Sequence, residues 1–307
     1  MAIFNTVPPL AAGTGLAFDG ETVSLAADAT LQKQGYAADA KATGDTIRKA
    51  ADSRNLLDNW DFSRPVNQRG KTSYSGARIY TIDRWIISTT AGTAAVVSGG
   101  IKLTGPASGI VELYQGFEHP IPSGRQVTVS LLYSQESGAR SGAVRFSTAI
   151  GGGTVHGAIT IPSGAATKKL LTGTVTLENP AACFAIRVPN GGALTVHAVK
   201  VEYGDICTLT ENSAADYAEE LTKCQRFYAK VIGNISLLSA TTADIKRRVA
   251  VTLPRTMRTT PSITWTLGTG SEAPKLDKAT PDMFSLAYEG SSTGFVWISG
   301  YESTADM

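Results

Sequence analysis

The sequence predicts a mainly β protein: an N-terminal helical stalk, a β-sandwich of jelly-roll type, one short helix and a C-terminal β domain. Three observations carry this. Glycine is abundant, at 31 of 307 residues, while charged residues make up only 18%, a balance that suits turn-rich β modules better than a helical enzyme. From Leu56 onward, short runs of alternating apolar and polar residues recur between clusters of Gly, Pro, Ser and Asn. Helical periodicity is confined to 27–55 and 214–228.

Residues 1–26 form the first segment. Turn formers stand at Pro8-Pro9, Gly13 and Gly15, and the run from Gly15 to Leu25 reads as a small hairpin with Asp19-Gly20 at its turn. Such a hairpin is too short to bury a core, so the segment is expected to dock on something else. Its first residues lack a basic region followed by a long apolar stretch, so neither a signal peptide nor a membrane span is expected.

Residues 27–55 read as a helix. Ala37, Ala40, Gly44, Ile47 and Ala51 recur at spacings of three and four, which makes a seam of small residues. One amphipathic helix on its own domain would explain them. So would a parallel bundle of identical helices from several chains, although the seam falls short of the roughly three to four heptads that define a coiled coil.

Residues 56–209 read as the jelly roll. Strand runs are expected at Ile79–Ser88, Ala94–Leu103, Gly109–Gln115, Gln126–Tyr133, Val144–Ile150, Thr172–Leu177, Cys183–Val188 and Thr195–Tyr203. Val127, Val129 and Leu131 share one face, with Thr128, Ser130 and Leu132 on the other. Ser98-Gly99-Gly100, Pro122-Ser123-Gly124, Gly151-Gly152-Gly153 and Pro189-Asn190-Gly191-Gly192 supply turns. The tetrad Ile-Pro-Ser-Gly occurs at Ile121 and Ile161 and marks two similar strand beginnings, with no wider repeat.

Residues 210–307 hold the second helix and the C-terminal β domain. Tyr217, Leu221, Cys224 and Tyr228 lie on one helical stripe; Ser213 or Asp216 is suited to cap its start, and Glu219 and Glu220 favour its positive end. The helix is expected to join two β domains. The strands that follow are Tyr228–Ile235, Arg247–Leu253, Ser262–Leu267, Met283–Tyr288 and Gly294–Tyr301. This last domain is small for an independent core and would gain from packing on copies of itself.

Chemistry-bearing motifs are sparse. A net charge of +2 draws the chain to neither nucleic acid nor anionic lipid. Cys183, Cys207 and Cys224 are odd in number and widely spaced, so no disulfide framework or zinc site is expected. His119, His156 and His197 are isolated, and His197 reads as a hydrogen-bonded histidine in an apolar strand. No nucleophile elbow, zinc-protease or phosphate-loop motif is present, and Gly151–Gly153 precedes strand residues rather than a helix. Asp58, Asp61 and Asp83 could pair for glycoside cleavage or hold a structural calcium, but carboxylates there more often fix turns. The basic run Ile245–Val249 reads as a solvated or edge strand. No cofactor and no metal are expected.

Aromatics gather in the last domain. Trp297, between Val296 and Ile298, is assigned to the core. Tyr288, Tyr301 and Trp265 are the candidate glycan-binding residues, since sugar rings stack on such side chains; Tyr288 and Tyr301 stand near expected loop ends beside Gly290 and Gly300.

Several stretches resemble bacteriophage tail-fibre or tail-tip receptor-binding proteins. Asn55-Leu-Leu-Asp-Asn-Trp-Asp-Phe-Ser, Val66-Asn-Gln-Arg-Gly and Tyr80-Thr-Ile-Asp-Arg-Trp85 are similar to the opening of their carbohydrate-binding-like jelly roll. Ala198-Val-Lys-Val-Glu-Tyr-Gly-Asp205 resembles its closing strand. The segment Tyr217–Tyr228, the run from Arg248 to Thr264 and the run from Gly35 to Asp45 resemble their post-module segment, head and stalk. The resemblance implies a homotrimer bound to tail or baseplate proteins through its N-terminus and to a bacterial cell-surface polysaccharide at the other end. It implies a place on the virion tail after assembly in the host cytoplasm. Charge, hydropathy and the lack of catalytic motifs, rather than the resemblance, give the expectation of no nucleic-acid binding, no membrane insertion and no enzymatic activity. A polysaccharide-degrading tailspike is the rival, which long β-helix repeats would favour; a purely structural baseplate or stalk protein is the third reading.

Overall fold

Strands need partners for their backbone groups and cover for one face, and the chain satisfies both by folding sheet on sheet. The computed structural model describes residues 16–18, 23–25, 27–28, 37–38, 54–136, 140–164, 166–237, 247–268, 273–288 and 296–306. Met1–Arg54 and Asn55–Met307 are separate compact units.

In the first unit, β1 (Leu16–Phe18) and β2 (Val23–Leu25) form an antiparallel hairpin with Leu16 opposite Leu25. This is the expected hairpin; Asp19-Gly20 lies outside the described residues. β3 (Ala27–Asp28) and β4 (Ala37–Ala38) pair in parallel. Both fall where a helix is expected, so the helical stalk is corrected at these positions. Gly35 just before β4 costs a helix about 1 kcal/mol relative to alanine. The remaining seam residues, Ala40, Gly44, Ile47 and Ala51, lie outside the described residues.

The second unit begins with the sandwich. Its strands are β5 (Ser73–Tyr74), β6 (Ala77–Tyr80), β7 (Ile86–Thr89), β8 (Thr93–Val97), β9 (Gly100–Thr104), β10 (Ile110–Ile121), β11 (Gln126–Gln135), β12 (Gly142–Ser147), β13 (Val155–Ile161), β14 (Lys169–Thr176), β15 (Ala181–Pro189) and β16 (Ala193–Tyr203). They form two six-stranded sheets in the orders β13-β12-β15-β10-β7-β6 and β14-β11-β16-β9-β8-β5. The chain crosses repeatedly between the sheets, which makes a jelly-roll-like sandwich. Two expected strands split and two unexpected ones appear. Ile79–Ser88 breaks at the Ile82–Arg84 turn, Ala94–Leu103 breaks at Ser98-Gly99, and β5 and β13 are additions.

The inner faces supply Val111, Leu113, Val129, Leu131, Phe146, Phe184, Val199 and Val201, all buried. Trp85 lies at the centre, edge-on to Phe62 at 5.0 Å and to Phe184 at 6.4 Å. Both faces of β11 are buried, because the stretch after β16 covers the outer one. There Thr128 Oγ1 donates to the Gly204 carbonyl at 2.7 Å, and Ser130 Oγ lies 2.9 Å from Cys207 Sγ. Ile121 and Ile161 each end a strand, and Gly124 and Gly164 follow at φ +75° and +88°. The repeated tetrad is therefore a strand exit, not a beginning; the glycine takes the left-handed turn.

The helix α1 (Tyr217–Cys224) is shorter than its periodicity suggests. Asp216 caps it, accepting from Ala218 N at 2.9 Å and Glu219 N at 3.3 Å. The buried stripe is also shifted: Tyr217 is 46% exposed, whereas Glu220 and Cys224 are buried. Glu220 faces inward because it has partners there, accepting from the Asn59 backbone N–H and, at 2.9 Å, from Lys223.

After α1 come β17 (Tyr228–Leu237), β18 (Arg247–Thr252), β19 (Ser262–Leu267), β20 (Lys275–Ala279), β21 (Met283–Tyr288) and β22 (Val296–Thr304). They make two three-stranded sheets, β17-β22-β19 and β18-β21-β20, around a second core of Phe284, Leu286, Tyr288, Ile298 and Tyr301. β20 is an addition to the expected strands. β18 is an edge strand, as the basic run implies, and Arg248 pairs with Asp277 at 3.1 Å; residues 245 and 246 lie outside the described residues. Ile298 is buried and Trp297 half-buried, so the core assignment moves by one residue. Among the described residues no helix is long and apolar enough to cross a membrane.

Polar side chains join this second core to the sandwich. Arg69 pairs with Asp83 at 2.9 Å and Asp306 at 2.6 Å, and its guanidinium lies 3.9 Å from the Tyr228 ring centroid. Arg84 lies 3.5 Å over Phe227 and pairs with Asp58 at 2.9 Å.

Candidate functional site

Each expected site residue has a definite place. Tyr288 and Tyr301 are only 4% exposed and belong to the second core, where Tyr301 packs edge-on against Phe284 at 4.8 Å. Their expected surface position is corrected: alternation in β21 and β22 turns them inward. Trp265 is half-buried and directly opposite Tyr301 across β19 and β22. These two border a shallow cleft of about 390 Å³ with Lys230, Thr264, Thr266 and Glu302. Tyr288 stands apart from it, in the other sheet.

The aspartates of the opening motif fix backbone. Asp61 accepts from Ser63 N at 3.0 Å and Ala215 N at 3.2 Å. Asp83 accepts from Gln68 and Arg69. Asn59, at φ +52°, binds Val66 N and O and the Asp83 carbonyl. No group of three His, Cys, Asp or Glu suited to a metal occurs among the described residues. His197 is hydrogen-bonded at both ring nitrogens, to the Gly99 carbonyl at 2.6 Å and Ser134 Oγ at 3.0 Å, and burial lowers its pKa.

A larger groove crosses the outer face of the sheet β13-β12-β15-β10-β7-β6 and encloses about 460 Å³. Strand register explains its floor. In one row across the sheet stand Ser88 of β7, Glu112 of β10 and Arg187 of β15. The next row carries Ile86, Tyr114, Ala185 and Arg145. Ile86, Tyr114, Cys183 and Ala185 form a small apolar cluster on this face, with Tyr80 and Ile150 against it. Thr89, Thr90, Gly109 and Ile110 close one end, and the β12–β13 turn with Gly151–Gly153 forms a wall. That turn is followed by a strand, as expected.

The floor is polar and internally paired. Glu112 Oε1 accepts from Arg145 Nη1 at 3.1 Å, and Oε2 accepts from the Tyr114 hydroxyl. Burial and the adjacent Glu112 carboxylate raise the Tyr114 pKa well above its ordinary value, so the phenol stays a donor. Ser147 Oγ lies 3.1 Å from the Cys183 thiol, whose pKa is raised by burial. Glu112 is the single carboxylate in the lining.

Sequence reasoning missed this groove. The signal was present in Ile110-Val-Glu-Leu-Tyr-Gln and in Ala143-Val-Arg-Phe-Ser, where Glu112, Tyr114, Arg145 and Ser147 alternate with core residues. Each strand alone reads as an ordinary solvated face; only the register brings the four together.

No protein-family model matches the chain, and no curated protein matches it. Solved structures similar to it include the CBM1 of BiXyn10A (8% identity, 49% of this chain and 99% of that one, TM-score 0.33). A carbohydrate binding module of Cellvibrio mixtus lichenase 5A, in complex with cellotriose, is 18% identical over 48% of this chain and 98% of that one, TM-score 0.28. The tandem CBM22-1–CBM22-2 of Paenibacillus barcinonensis Xyn10C is 9% identical over 83% of this chain and 98% of that one, TM-score 0.31.

Proposed function

We propose that this chain binds a polysaccharide through the groove on the β13-β12-β15-β10-β7-β6 sheet, and that it does so as an attachment protein of a phage or phage-like tail. The observation that carries the binding reading is the groove itself. It is open, of a size suited to a ligand (about 300–1,000 Å³ is usual), and lined by Ser88, Thr89, Thr90, Glu112, Arg145 and Ser147. Hydroxyl, carboxylate and guanidinium groups set into a rigid sheet match the alternating donors and acceptors of sugar hydroxyls.

Binding without cleavage is part of the proposal. Most glycosidases need two carboxyl groups flanking the bond, separated by about 5–9.5 Å. The groove has one, and both oxygens of Glu112 are already engaged by Arg145 and Tyr114.

The tail location and the homotrimer rest on the sequence resemblance. Three linked copies would raise a weak site's effective affinity without new contacts. Ile232, 84% exposed on β17, favours a neighbouring copy against the C-terminal sheet.

A glycan array and whole-cell binding by the full chain test the reading, with Thr90→Trp as the control. Thr90 is exposed at the lip of the groove, so the indole would obstruct it without entering the core. Binding that is lost in this variant supports the groove. Binding that is unchanged moves the site elsewhere, and absence of any glycan or cell binding leaves the structural baseplate reading. Release of reducing ends from a bound polysaccharide would establish a depolymerase instead.

A further inference from the structure

We infer that the groove takes an acidic polysaccharide, one whose carboxylate or sulfate is held by the guanidinium of Arg78, with Arg187 a second cation three strands further across the same sheet. This rests on the binding role proposed above and names its substrate class.

The inference starts from a backbone irregularity. β6 pairs with β7 through Ala77–Ser88 and then Ile79–Ile87, so one residue, Arg78, is bulged out of the ladder. Arg78 has φ +56° and follows Gly76 at +128°. A non-glycine residue at positive φ on a bulge costs energy, and such sites often re-aim a side chain. Here the bulge turns Arg78 over the groove wall. A Cβ added to Gly151 would stand 3.2 Å from Arg78 Nε and 3.3 Å from Ser88 Oγ. Ser88 and Gly151 both line the groove. The glycine leaves the space that the guanidinium occupies, and its own φ of +72° suits glycine.

Charge balance gives the sign of the ligand. Glu112 is the single carboxylate in the lining and is bound by Arg145 and Tyr114. Arg187 stands directly opposite Glu112 in the next strand, on the same face. Among the described residues no ion pair engages Arg78 or Arg187. Three guanidiniums therefore face one neutralised carboxylate, which leaves two cationic forks at the rim. A neutral sugar could accept hydrogen bonds from them but would leave both without a counter-charge. A carboxylate or sulfate on the sugar can accept two parallel N–H bonds from such a fork.

The test is calorimetric titration of the full chain with polygalacturonate, alginate and hyaluronan, each beside its carboxyl-reduced form, with dextran sulfate as the sulfate probe. Xylan and a mixed-linkage β-glucan serve as neutral probes. Binding of an acidic probe should weaken at least about tenfold on carboxyl reduction, or with Arg78→Gln, as expected for loss of a charge-assisted bond. Arg78→Lys should recover part of it, and high NaCl should weaken the wild type more than Arg78→Gln. Equal binding of acidic and neutral probes, unchanged in Arg78→Gln, would overturn the acidic class while leaving the groove a glycan site. Failure of every probe, acidic and neutral, would overturn both. Circular dichroism of each variant shows that it is folded, and Arg187→Gln gives a second variant that leaves the bulge untouched.

Discussion

Replacing Arg69 by Met removes the cation that one buried and one half-buried carboxylate share. Arg69 Nη1 lies 2.9 Å from Asp83 and Nη2 lies 2.6 Å from Asp306, and the Asp83 side chain is 1% exposed. Breaking a buried pair by removing one partner costs about 3–5 kcal/mol, because the other charge is left uncompensated. The pH dependence provides a second signature. Burial raises the Asp83 pKa from 3.8 to about 6, against the lowering effect of Gln68 and Arg69, and burial also raises that of Asp306. A carboxyl whose folded pKa lies above its unfolded value favours the folded state when protonated. Its contribution is complete below about 3.8 and is lost as pH rises through about 6. Between about pH 7.5 and about pH 5, Asp83 alone should add about 1.4 kcal/mol to the wild type. Without Arg69 both pKa values climb further, so the gain on acidification grows and the penalty of Arg69→Met shrinks. Urea denaturation of both proteins at the two pH values gives the difference directly, and the contributions of unaffected carboxylates cancel. A penalty below about 1 kcal/mol at about pH 7.5, or one that is the same at both, would refute the shared-cation argument.

Three further outcomes follow from the packing. Phe184→Ala should cost about 3–5 kcal/mol in a denaturant titration, since the ring is fully buried and edge-on to Trp85 and Phe146. Asp216→Ala should cost about 1 kcal/mol through loss of the helix cap, with Asp216→Asn keeping most of it; thermal melts compare the two. Cys183 and Cys224 are buried, and burial raises the pKa of both thiols. A thiol reagent should therefore modify the native protein at Cys207 alone, and at all three cysteines once urea is added, as counted by mass spectrometry.

The sandwich was legible in the sequence because period-two alternation reports burial on one face. Val127, Val129 and Leu131 are in the core as expected. β8 and β9 were merged because the Ser98-Gly99 turn is too short to interrupt an apolar run. The helix stripe was placed on the wrong side for a different reason. Periodicity ranks Tyr217 above Glu220, but the hydrogen bond from the Asn59 backbone N–H, 161 residues away, makes Glu220 the inward residue. The tyrosines at 288 and 301 were read from neighbouring glycines, whereas strand alternation decides their direction. The groove was illegible because its members lie on six strands and meet only through register.

The middle position of β22 in its sheet governs the order in which the molecule can be made. β17 and β19 pair with β22 and not with each other, yet both leave the ribosome before it. Until Val296–Thr304 has emerged, two strands wait with open hydrogen-bonding edges, and the apolar side chains they carry have no sheet to close over them. Completion of that sheet is thus a late, non-local event with a large loop-closure cost.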